Sequence, residues 1–215
     1  MQFMIVPVLV AVLVAVLRGG QLKNLAGLEL RYAWLPLAMF AIQFGFVLFP
    51  LGEGEVYFSV VPWITVSTYA LLVAFLAVNR RLPGLKLILV GAALNLAVIL
   101  ANGGFMPVSR EALERSDHLD KVFVEGDRAY VLGSKDVVLP PGEARLQVLS
   151  DVLKVPGSVE VPVTFSPGDV LIVIGASWLA YRVIQGGAGQ RREEQLGWES
   201  KTGAGDALEA GGPRS

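Results

Sequence analysis

The chain has 215 residues, 53% of them apolar and only 17% charged, with 18 Lys and Arg against 19 Asp and Glu. Soluble domains carry about 25% charged residues, so this composition points to a membrane protein. The absence of cysteine and the single histidine exclude disulfides, iron–sulfur clusters, thiolate zinc sites and histidine-rich metal sites. No glycine-rich phosphate loop and no basic–aromatic stripe supports nucleotide or nucleic-acid binding.

Phe3 to Leu17 is an almost unbroken run of Val, Leu and Ala closing on Arg18. It is short against the roughly 20 residues that cross a hydrocarbon core, but its flanks extend it. No Lys or Arg precedes it and no small-residue cleavage site follows, so it reads as a retained first span rather than a signal peptide. Arg18 to Arg31 carries three basic residues and one acid. Its leucines fit a short interfacial helix or a plain loop equally. Tyr32 to Pro50 is the second span, since Pro36 and Gly45 need not break a helix in a membrane. An acidic, glycine-rich connection with Glu53 and Glu55 leads to the third span, Val60 to Val78, where Trp63 is an interface anchor. Asn79 to Lys86 is a short loop with three basic residues, and Leu87 to Ala101 is the fourth span. Asn95 within it is a polar residue at membrane depth, a type that more often bonds across helices than to a ligand.

Residues 102–165 form the one long polar region. SREALERSDHL reads as a short helix capped by Ser109. KVFVEGDRAYVLG reads as a β-hairpin, and Pro140, Pro141 and Gly142 as a turn. Short strands are expected in Val148–Val155 and Val159–Phe165. So few residues do not readily fold alone, so this domain is expected to lean on the bundle. The fifth span is Val170 to Ile184, within a segment 166–185, and Arg182 can snorkel at its end. Residues 186–215, rich in Gly, Ala, Glu and Arg, read as a disordered tail. The expected fold is thus an all-α membrane bundle of five transmembrane helices (residues 1–101 holding four of them), with a small mixed α/β outer-face domain between the fourth and fifth.

Charge fixes an orientation. The loops 18–31 and 79–86 hold Arg18, Lys23, Arg31, Arg80, Arg81 and Lys86 against Glu29 alone, whereas the 50–57 loop has two acids and no base. The tail opens with Arg191 and Arg192. Five spans reconcile these facts with the amino end outside and the carboxyl end in the cytoplasm.

Two aspartates stand out on the outer face. Asp169 ends Ser166-Pro167-Gly168-Asp169, just before the fifth span. One reading makes Ser166 an N-cap, Pro167 the first helical residue and Asp169 a capping-box acid; the other makes Asp169 a functional carboxylate at the membrane boundary. Asp151 is a turn or solvated acid, or the partner of Asp169 in a dyad where one carboxyl holds a proton and the other activates water. Asn102-Gly103-Gly104 is a helix C-cap, or a site where Asn102 offers an amide and the glycines admit a ligand. Arg145 is a surface residue, or pairs with Asp151 or a lipid phosphate. His118 reads as a solvated side chain.

The runs Arg18-Gly19-Gly20, Asn102-Gly103-Gly104-Phe105-Met106-Pro107-Val108, Arg145-Leu146 with Asp151, and Phe165-Ser166-Pro167-Gly168-Asp169 with Ile172 and Gly175 resemble a family of bacterial membrane proteins, domain-of-unknown-function family 5317. The resemblance covers most of residues 1–185 and implies an inner-membrane protein, without an activity. A partial resemblance is to the lipoprotein signal peptidase, signal peptidase II, in which an Asp in a V-V-D-F context precedes F-N-x-A-D at the last span. Val148-Leu149-Ser150-Asp151 and Phe165-Ser166-Pro167-Gly168-Asp169 are similar in order and spacing. Ser166 and Gly168 replace that family's Asn and Ala, its G-N-x-x-D-R segment is missing, and a polar domain stands where it has two spans. This resemblance implies Asp151 and Asp169 as catalytic, with Asn102, Gly103 and Arg145 as substrate-binding groups.

Two functions follow as expectations. One is an aspartate-dyad membrane hydrolase with a polar site at the outer surface, acting on a membrane-anchored or lipidated substrate with no metal or organic cofactor. The other is a non-enzymatic scaffold that binds an envelope protein, in which the same residues cap helices and tether the outer domain. The lipid bilayer is a partner in both. Few intramembrane charges and no paired broken helices argue against a transporter.

Overall fold

A computed structural model of the protein describes residues 2–49, 52, 54–110, 121–154 and 164–186. Five long helices dominate it: α1 (Gln2–Leu17), α2 (Trp34–Leu48), α3 (Glu55–Asn79), α4 (Leu85–Ala101) and α5 (Pro167–Gly186). α3 and α5, with 25 and 20 residues, are long and apolar enough to cross a membrane, while α1, α2 and α4 are shorter apolar helices of 16, 15 and 17 residues.

α3 begins at Glu55, ahead of Val60, the expected start of the third span. Glu55 lies in the first turn, where an acid favours the helix dipole. Tyr57, Val61, Thr65 and Thr68 then form a buried stripe at helical spacing. Residues 18–31, undecided between helix and loop, contain a short 3-10 helix at Leu22–Gly27.

Polar side chains stitch the helices together at one end. The Asn79 side chain accepts from Arg31 N at 2.9 Å and donates to Arg31 O at 3.1 Å, so the turn after α3 sits beside the start of α2. Gln185 donates to Ala15 O at 2.7 Å and Gln21 N to Ile184 O at 3.1 Å, which joins the carboxyl ends of α1 and α5. Further along, Gln43 of α2 donates to the Thr68 hydroxyl of α3 at 2.8 Å.

α4 and α5 run antiparallel in very close contact. A Cβ built on Gly91 would collide with Gly168 O, and one on Gly175 would lie 2.6 Å from Gly84 O. Small residues let two backbones approach to this degree.

At the other end lies a mixed sheet. β1 (Met106–Pro107), β2 (Val122–Glu125), β3 (Arg128–Val131) and β4 (Asp136–Val138) are ordered β1-β4-β3-β2, with β1 parallel to β4 and the rest antiparallel. The β2–β3 hairpin is the one expected from KVFVEGDRAYVLG. β5 (Leu153–Lys154) pairs with β6 (Thr164–Phe165) just before α5. An aromatic core joins sheet to bundle: Tyr57 meets Phe123 edge-on at 5.0 Å and stacks near Phe105 at 6.0 Å, and Phe58 meets Tyr130 at 4.9 Å. The Tyr57 hydroxyl donates to Val131 O at 3.2 Å, so a ring buried for its area also satisfies its polar tip.

The strand expected over Val148–Val155 is displaced. Gln147–Leu149 is a 3-10 helix entered through Leu146 in the left-handed region (φ 55°), and pairing begins only at Asp151. The helix expected after Ser109, with His118, falls on residues 111–120, and part of the second expected strand on 155–163; these and the tail from 187 lie outside the described residues.

Candidate functional site at the boundary of bundle and sheet

The start of α5 is built from four hydrogen bonds. The Ser166 hydroxyl accepts from Asp169 N at 3.0 Å, and the Asp169 carboxylate accepts from Ser166 N at 3.0 Å. This is the reciprocal capping box that Ser166-Pro167-Gly168-Asp169 permits. Asn95 of α4 closes the set: its amide nitrogen donates to Asp169 at 2.9 Å and its oxygen accepts from the Ser166 hydroxyl at 2.9 Å. Both Asp169 oxygens are therefore engaged, one by the cap and one by α4. Gly168 makes room for Asn95, since a Cβ there would overlap the amide oxygen.

Asn102 is engaged in the same way. Its amide nitrogen donates to Val98 O at 2.8 Å and to Arg145 O at 2.9 Å, and its oxygen accepts from Arg145 N at 2.9 Å. The side chain thus caps α4 and clasps the backbone of residue 145 as a strand partner would. The structure brings Asn102 and Arg145 together through the arginine's main chain, with Arg145 exposed. Gly103 is exposed, and a Cβ there would meet nothing within 4 Å. The close approach belongs to Gly104, which has φ +93° and packs on Pro62 of α3; only glycine combines that backbone with that contact.

Asp151 stands apart. Its amide donates to Pro107 O at 3.3 Å and it bridges Val108 in parallel, so it continues the sheet beyond β1. Pro107 has no N–H to offer but supplies its carbonyl. Asp151 Oδ1 is buried without a hydrogen-bond partner. Burial pushes its pKa up from 3.8 to about 7; the Lys135 ammonium pulls it down, and Asp136 and then Asp169 push it up by charge repulsion. Lys135 lies 3.2 Å from Asp136 and is itself partly buried. Burial works against its charge, but Asp136, Tyr69 and Asp151 together hold the ammonium well above its ordinary pKa. The carboxyl groups of Asp151 and Asp169 are thus within electrostatic range, but Lys135 and Asp136 act on Asp151 more strongly.

Lys135 and Asp136 escaped the reading of the sequence, because a Lys-Asp step in a hairpin turn looks like solvated surface. The available signal was the apolar Val137-Val138-Leu139 that follows, which draws the turn inward. Chemically the cluster offers one acid that carries a proton near neutrality, one cation and two further carboxylates. Among the described residues no group of three or more His, Asp or Glu side chains is placed to hold a metal ion.

The model of a family described as a family of unknown function, DUF5317, matches residues 27–181. An uncharacterized protein of Thermotoga maritima is 37% identical over 106 residues, covering 49% of this chain and 55% of that protein. The chain therefore spans about half the length of this relative. No solved structure matches. The likeness to lipoprotein signal peptidase finds no support in these matches.

Proposed function

The chain belongs to the family of unknown function DUF5317, and within it we propose a membrane-embedded platform. Its five helices cross the bacterial inner membrane with the amino end outside and the carboxyl end in the cytoplasm. Its β domain is held at the outer surface for an envelope protein. The observation that carries this reading is the use of the polar groups: Asn95, Asn102, Ser166 and Asp169 spend their hydrogen bonds joining helix to helix and helix to outer domain. Such bonds make a support.

The apolar surface favours a bilayer around it. Only 28% of the most apolar stretch of α3 and 17% of that of α5 is buried by protein. Leu9 and Leu13 of α1, Leu37 and Phe40 of α2 and Trp63 of α3 are all more than half exposed. An apolar surface so extensive is costly in water and neutral in lipid. The shorter helices span about 25 Å at 1.5 Å per residue, and local thinning or flanking segments close the gap to a core of about 30 Å.

The absence of cysteine gives a clean test. Val124→Cys on the sheet should react with a membrane-impermeant maleimide on intact spheroplasts, and Leu25→Cys only after permeabilisation. The reverse pattern, or equal labelling, would sink the proposed topology. For the platform role, a photo-crosslinking residue at Val124 should yield one discrete envelope-protein adduct in cells. No adduct there counts against it.

A second reading has one observation in its favour, the buried and unpartnered Asp151 Oδ1 beside Lys135. In that reading Asp151 serves as the acid and Asp169 as the base of an aspartate pair. The carboxylate takes a proton from the attacking water, and the acid donates one to the substrate carbonyl. Purified protein in vesicles should then cleave a lipidated peptide, and Asp151→Asn should abolish this; an inactive wild-type protein removes the hydrolase reading.

A further inference from the structure

The end of the bundle opposite the sheet holds an open pocket of about 230 Å³ in the turn between α3 and α4. Arg80, Arg81 and Lys86 line it together with Trp178 of α5, and no acid does. Among the described residues none of these three cations has an ion-pair partner. The fold builds this wall: the contact of Gly84 with Gly175 pins the turn against α5, and Trp178, one helical turn on and half exposed, closes the side.

Three like charges around one concavity repel one another unless an anion joins them. Two guanidinium groups match the paired oxygens of a phosphate, and an ammonium adds charge without demanding geometry. The surroundings are basic as well. The main chain of Arg31 is held by the Asn79 side chain, next to Arg80 in sequence, and Arg18 donates to the Tyr181 hydroxyl at 3.1 Å on the next turn of α5. A half-exposed Trp beside such a cluster is the residue found at the level of lipid headgroups. Basic pockets between helices at the cytoplasmic side take anionic headgroups.

We propose that this pocket binds the phosphate headgroup of an anionic phospholipid of the cytoplasmic leaflet. Arg80 and Arg81 grip the phosphate oxygens, Lys86 adds charge, and Trp178 sits at the boundary with the acyl chains. The proposal rests on the membrane reading above.

The test uses the full chain in phosphatidylcholine nanodiscs doped with phosphatidylglycerol, with the lipids retained on release counted by native mass spectrometry. Phosphatidylglycerol should be enriched over phosphatidylcholine. The triple variant Arg80→Gln, Arg81→Gln, Lys86→Gln should lower that enrichment at least about tenfold, given the energy per basic residue near an anionic surface. The variant Lys23→Gln, Arg182→Gln removes charges from the same end but outside the pocket lining and should keep most of it. No enrichment in the wild type, or equal loss in both variants, overturns the proposal. Glycerol 3-phosphate and inorganic phosphate form the other arm: if either displaces phosphatidylglycerol at matched concentration, the pocket is a soluble-phosphate site and the lipid assignment falls. Arg81→Gln alone, at an exposed position, should still give a several-fold drop and keeps the test alive if the triple variant does not fold. A protein that carbonate extracts from membranes sinks the membrane reading itself. A protein that stays integrated but shows no enrichment sinks this proposal alone.

Discussion

Asp151 shows how a residue that looks solvated in sequence becomes a strongly perturbed acid once it is buried. Folded, it keeps its proton up to about pH 7, whereas the unfolded chain releases it near 3.8. The folded state therefore binds more protons between these values, and the contribution of Asp151 to stability falls as pH rises from about 4 to about 7. The full swing is at most about 4 kcal/mol. Asp151→Asn removes the titration, so the variant should gain on the wild type as pH is raised, with little difference at pH 4 and a higher melting temperature at pH 8. Parallel melting curves across this range would contradict the assignment. Asn102 makes the opposite kind of prediction. Asn102→Ala removes the clasp on the Arg145 main chain, where water can replace the lost partner, and should cost about 0.5–1.5 kcal/mol, read from the unfolding midpoint at any pH.

Among the elements, α4 and α5 carry the sharpest expectation. Their glycines at 84 and 91, and at 168 and 175, face each other across an antiparallel crossing. Gly91→Ala puts a methyl group against the α5 backbone, which cannot yield as a flexible side chain would. A loss of about 1–3 kcal/mol is expected from overpacking. Gly45→Ala in α2 meets nothing within 4 Å and should be neutral or stabilising by up to about 1 kcal/mol through helix propensity. Thermal unfolding of the two variants side by side checks both signs. α3 is the counterpart at the level of boundaries. Its first turn was hidden in the sequence because Glu55 belongs to an acidic, glycine-rich connection; the packing of Tyr57 on the sheet, with Glu55 favouring the helix dipole, accounts for the helix starting there.

Over the whole molecule, the sheet and the bundle depend on one aromatic joint. Tyr57 contacts Phe58, Phe105, Phe123 and Tyr130 and bonds to the β3 end through its hydroxyl. Tyr57→Ala should cost about 3–5 kcal/mol, as for other large aromatic deletions. The loss should appear first in the sheet: amide exchange over residues 121–138 should quicken before that of α4. Uniform acceleration through both regions would mean that the joint does not separate them. The same dependence follows from size, since a sheet this small does not bury enough area to stand alone.

The sequence by itself determined the apolar helices, the β-hairpin and the segregation of charge, because hydropathy runs, period-2 alternation and turn residues are local properties. It also contained the capping box at Ser166, since that motif needs four consecutive residues. The tertiary structure alone decided the partners. Asn95 reaches Asp169, Asn102 grips Arg145, and burial, then the charges of Lys135 and Asp136, set the state of Asp151, all between residues apart along the chain. Pairing the two aspartates by their spacing could not weigh these neighbours. A carboxyl group's state depends on the dielectric and charges that surround it in space, and no stretch of sequence carries that information.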